Sequence, residues 1–157
     1  MSHIKSVTLS GLNITSLNGL GQGNRFITII DCNNINDWSA VRKNKFVQFR
    51  TTSTTIRPFY LHLAMKDITH LQTVNSSLPN LANAKRLKEI IIDGTVSVDG
   101  VFWRLIETLN HLPSLQRVVF KAIDKSKIQS AGQLEILLLK SRFSTHYGPR
   151  QLVLSSR

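Results

Sequence analysis

Acidic residues are scarce in this chain. Nine Asp and Glu stand against 20 Lys and Arg over 157 residues, a formal charge of +11. Cysteine is nearly absent: Cys32 stands alone, which excludes a disulfide scaffold. No apolar run approaches the roughly 18 residues that a membrane-spanning helix needs. Charged residues make up only 18% and hydrophobic residues 41%, which excludes a disordered polycation. What is left is a basic, core-forming chain. A domain of this size buries roughly 68–70% of its unfolded surface. The expectation is one domain over 1–157, irregular over 1–58 and more regular over 59–157.

The charge is unevenly placed. Residues 1–30 hold no acid, and none lies between Asp37 and Asp67, where Arg42, Lys43, Lys45, Arg50, Arg57 and Lys66 occur. After Glu135, Lys140, Arg142, Arg150 and Arg157 are unopposed. A field of this sign concentrates polyanions. Arg42, Lys43, Lys45, Arg50 and Arg57 are therefore candidate polyanion contacts. Phe46 and Phe49 among them suit either base stacking or a buried strand. A lone thiol fits a reducing interior, so an intracellular location is expected, cytoplasmic or mitochondrial.

The chain repeats itself. Leu87–Asp93 and Leu115–Lys121 align without a gap, at a period of about 28 residues. In each, a Leu is followed at +3 and +5 by Ile90 and Ile92, or by Val118 and Phe120. Ile4–Leu9 has the same spacing, and Leu61–Leu63 and Leu152–Leu154 look like further copies. Between them lie helical patterns: Phe102, Leu105, Ile106 and Leu109 after a capping Asp99; Ile68, Leu71, Val74 and Leu78 after Asp67; Leu134, Leu137, Leu138 and Phe143 after Ser130. Phe26–Asp31 and Phe46–Arg50 read as strands joined by a short helix from Asp37 to about Lys43. Spacing in this first half is about twenty residues or fewer.

The Leu-x-x-Leu-x-Leu cores at 4–9, 87–92 and 115–120 resemble leucine-rich repeats, and the 28-residue spacing is similar to the ribonuclease-inhibitor type. Ser10–Ile14 and Asp31–Ile35 resemble the family's asparagine turn, and its Asn or Cys position is filled by Thr95 and Ile123 in the two best units. The resemblance implies an α/β solenoid with a parallel sheet on one side and helices on the other. Parallel strands need long crossovers, and these are right-handed in nearly all cases. Residues between the inward apolar positions face away from the helices: Thr8, Gln48, His62, Ile91, Val119 and Val153. A solvated face favours polar residues. His62, Ile91, Val119 and Val153 are accordingly the candidate protein-binding positions, with a covered sheet as the alternative.

Signatures of catalysis are lacking. The five histidines have no Cys or carboxylate at metal-ligand spacing. There is no Gly-x-Ser-x-Gly elbow, and Gly19, Gly21 and Gly23 match no nucleotide-binding fingerprint. No cofactor, metal or catalytic residue is expected. The sequence predicts a non-catalytic protein-interaction module, part of a larger complex. The alternative is a basic RNA-associated subunit of a ribonucleoprotein or organellar assembly.

Overall fold

The computed structural model describes residues 5–20, 25–42, 44, 46–52, 65–74, 81–96, 100–123, 142–148 and 151–157. Among these, eight strands form one sheet: β1 (Ser6–Ser10), β2 (Phe26–Ile30), β3 (Phe46–Thr51), β4 (His70–Val74), β5 (Glu89–Val96), β6 (Arg117–Ile123), β7 (Phe143–Tyr147) and β8 (Leu152–Ser156). Their spatial order is β1-β2-β3-β4-β5-β6-β8-β7. The first six run parallel, each beside the next, as a solenoid-like sheet.

Register measures the unit length. Ser6 pairs with Phe26 and Phe26 with Phe46, so each of the first two steps is about 20 residues, the short end of solenoid periods. Gln48 pairs with His70, a step of 22, and His70 with Glu89, a step of 19. Glu89 pairs with Arg117, a step of 28, which is the repeat seen in the sequence. The difference follows from helix geometry. A five-residue strand is about 17 Å long at ~3.3 Å per residue. An extended return covers that in five or six residues, whereas a helix at ~1.5 Å per residue needs eleven or twelve. The longest unit holds the one α-helix among the described residues, α1 (Gly100–His111). Of the shorter units, the one between β2 and β3 returns through a single 3-10 turn at Ser39–Val41.

The core lies between the sheet's inner face and these returns. Ile27, Ile29, Val47, Phe49, Leu71, Ile90, Ile92, Val118 and Phe120 supply the sheet side and are buried. Phe102, Ile106 and Leu109 of α1 close it over β5 and β6, with Phe102 packed on Phe120 at 5.5 Å. Over β2 and β3 the closure is Leu17, Ile35, Trp38 and Val41. Trp38 meets Phe49 edge-on at 5.6 Å and donates its indole N–H to the Ile35 carbonyl. At the β1 end the inward Val7 and Leu9 are only partly buried and Leu12 is exposed.

Several sequence expectations are corrected. Residues 70–74 form strand β4 rather than a helix capped by Asp67. Against the helical spacing of Ile68, Leu71 and Val74 stands a period-2 alternation, in which Leu71 and Thr73 point in and His70, Gln72 and Val74 point out. Hydrogen bonding across to β3 selects the second pattern. Leu152–Leu154 is a strand, but β8 runs antiparallel to both β6 and β7. The Gly148 N–H closes on the Gln151 carbonyl at 2.8 Å, and so short a connection admits only an antiparallel pair. Phe143 begins β7 instead of ending a helix. Thr95 and Ile123 are not equivalent, because a bulge at Asp93–Gly94 shifts the register so that Thr95 pairs with Ala122. Gly94 sits there at φ 140°, a conformation that L side chains rarely adopt. The expected strand at 61–63 and most of the helix after Ser130 fall outside the described residues.

Two arginines secure the turns. Arg86 donates to the carbonyls of Arg42 (2.7 Å), Asp67 (3.2 Å) and Asn44. Arg142 donates to the carbonyls of Asn110 (2.7 Å) and Leu109 (3.4 Å) at the C-terminal end of α1, where helical carbonyls lack intrahelical partners, and to that of Leu115 (3.3 Å) just before β6. Part of the basic excess is thereby structural.

Candidate interaction face

The sheet's outer face lies opposite α1 and the turns. Alternation brings its residues into rows across the strands. One row runs Thr8, Thr28, Gln48, His70, Glu89, Arg117 and Ser155. The next runs Ser10, Ile30, Arg50, Gln72, Ile91, Val119, Val153 and His146. Ile91, Val119 and Val153 thus stand side by side, Val153 through the antiparallel strand β8. Val119 is 2% exposed, while Ile91 and Val153 are half-buried. Two ion pairs flank this apolar stripe on β5 and β6: Arg117–Glu89 at 3.1 Å and Lys121–Asp93 at 3.6 Å. His62 lies outside the described residues, and the position beside Gln48 is filled by His70.

The first four strands present a different surface. Phe26 is 50% exposed, meets Phe46 edge-on at 5.6 Å, and Phe46 in turn lies 4.2 Å from the His70 ring. This aromatic cluster is missing from the sequence-derived site. Its signal was present: Phe26 and Phe46 each open a strand, one repeat step apart, and pair directly. Of the two aromatics considered for stacking, Phe46 faces out and Phe49 is buried in the core.

His70 is held by Thr69. The Val47 N–H donates to Thr69 Oγ1 at 2.8 Å, and that hydroxyl lies 2.8 Å from His70 Nδ1. Burial lowers the His70 pKa below the usual histidine range; Lys88 adds to this and Glu89 opposes it. Asp67 is buried beside Arg42, 3.5 Å away. Burial raises its pKa despite Arg42 and Arg86. Asp37 is lowered by hydrogen bonds from the Ser39 hydroxyl and backbone.

Of the candidate polyanion residues, Arg42 and Arg50 are described. Arg42 sits in the turn before β3 with its side chain 68% exposed. Arg50 is on the outer face, four residues into β3, and its Nε is buried with no hydrogen-bond partner. Lys43, Lys45 and Arg57 lie outside the described residues. Cys32 is 1% exposed and serves the turn after β2. It accepts from the Leu12 N–H (3.4 Å) and donates to the Ile30 carbonyl (3.5 Å). Asn34 donates to Asn13 in the same turns. No described helix is long and apolar enough to cross a membrane. Comparison with protein-family models, curated proteins and solved structures finds no match to this chain.

Proposed function

We propose that this chain is a non-catalytic interaction module of leucine-rich-repeat type, a subunit that docks a protein partner on its outer sheet face. The supporting observation is the row Ile91–Val119–Val153, three apolar side chains in register on the face opposite α1. Ile91 and Val153 are the row's accessible members, Val119 being already covered, and apolar anchors flanked by ion pairs suit a protein contact, since buried centres carry most of the binding energy and charged rims carry little. The turn thiol of Cys32, the long helical unit between β5 and β6 and the parallel register support the repeat type.

A second reading, docking on RNA phosphates through Arg42, Lys43, Lys45, Arg50 and Arg57, is favoured by the exposure of Arg42. Purification from the native source at low and high salt separates the two. A stoichiometric protein retained at high salt is the expected result. Nuclease-sensitive material released steeply by salt would replace this reading with the second.

A further inference from the structure

The outer face of β1–β4 carries no carboxylate, whereas that of β5 holds Glu89 and Asp93, both already paired. Arg50 is the one permanent cation among the described residues of these four strands. It is half-buried between Ile30 and Gln72, with Nε unpartnered. That nitrogen is sealed from solvent, so a partner meets the outer guanidinium nitrogens, from which a carboxylate takes two parallel N–H donors. At the other end of the same strands lie Phe26 and Phe46. Phe46 and Arg50 are four residues apart on one strand, roughly 13 Å at ~3.3 Å per residue. Residues i and i+4 of an extended peptide share one side and span the same length.

We infer that the partner lays an extended acidic segment along β2 and β3, with a carboxylate on Arg50 and an apolar or aromatic side chain, four residues away, on Phe26 and Phe46. This rests on the protein-docking reading above and adds the partner's chemistry. Charge complementarity selects an acidic occupant. Composition selects polypeptide over nucleic acid. A nucleic-acid track needs several phosphates neutralised, and the described strand residues of this face offer one arginine, with Ser, Thr and Gln at half of the outward positions. The Phe26 and Phe46 rings also meet at 61°, edge to face, and make no continuous stacking platform.

The test is titration of the full chain with short synthetic peptides, followed by NMR shifts and fluorescence anisotropy. The probes are peptides of Ser and Thr carrying Phe and Glu four positions apart, in either order; the same peptides with Gln for Glu; and decauridylate. The expected result is saturable binding of the Glu peptide with shifts on β2 and β3. Arg50→Gln weakens it at least tenfold and Phe26→Ser at least threefold. The Gln peptide, which leaves the protein untouched, also loses at least tenfold. The inference is overturned if the Glu peptide fails to saturate or if Arg50→Gln changes nothing. It is equally overturned if decauridylate binds the same residues as well as the Glu peptide does. Peptide binding that maps instead to Ile91 and Val153 sinks this inference while leaving protein docking in place. Docking itself fails only if no protein is retained from the native source at high salt.

Discussion

The two ends of this sheet differ in how the chain returns and in what the outer face carries. From β1 to β5 each step is about 20 residues, and the strand residues on the outer face of β1–β4 include an aromatic pair and no acid. From β5 to β6 the step is 28, closed by α1, and the face is an apolar stripe between ion pairs. One parallel register accommodates both, because the inner face asks only for apolar residues at alternate positions. The return can be any segment that spans a strand's length and buries its own apolar side. Among the described residues, core closure is complete over β5 and β6, where α1 lies, and partial at β1.

Core truncation tests that gradient most strongly. Ile90→Ala or Phe120→Ala, both at 0% exposure, is expected to cost about 3–5 kcal/mol in urea denaturation. Leu9→Ala at the partly buried end should cost about 1–2 kcal/mol. Equal losses would remove the distinction between the ends. Arg86→Ala strips three carbonyls of a charged donor and should cost about 2 kcal/mol. A change under about 0.5 kcal/mol would mean that water replaces it. On the inner face Thr51 and Thr73 pair in register with buried hydroxyls that lack partners. Thr51→Val and Thr73→Val are each expected to raise the melting temperature, by about 1 kcal/mol of stability, since an unsatisfied hydroxyl is removed at constant shape. A fall would show that the hydroxyls are bonded.

His70 ties stability to pH in the first region. Its folded pKa lies below the unfolded value of 6.5, so the unfolded chain binds the proton more readily. Stability from this group is full above 6.5 and declines as pH falls from there through the folded pKa. His70→Gln should flatten that slope in denaturation curves taken on either side of the histidine range. An unchanged slope would assign it to other groups.

The sequence made the second region easier to read than the first. Two copies of Leu-x-x-Leu-x-Leu at 87–92 and 115–120 aligned without a gap, and β5 and β6 pair at that offset. The placing of Ile91 beside Val119 followed from alternation alone, and α1 from the spacing of Phe102, Ile106 and Leu109. β4 is obscured because the helical spacing of Ile68, Leu71 and Val74 competes with the alternation that turns Leu71 and Thr73 inward and Val74 outward, and pairing to β3 decides for the strand. The antiparallel turn of β8 was hidden for a similar reason: Leu152–Leu154 has the local pattern of a strand, and direction is a property of the connection. Phe26 and Phe46 become a pair only through the short register of β2 on β3, which no repeated leucine motif marks.

The central claim is that partners engage the outer face and not the helix side. The most direct measurement is a titration of the co-purified partner against the chain carrying Ile91→Lys on the outer face or Arg104→Glu on the exposed side of α1. The account predicts that Ile91→Lys lowers affinity at least tenfold, with Arg104→Glu within twofold of the parent and both variants folded. Loss with Arg104→Glu and full affinity with Ile91→Lys would contradict it.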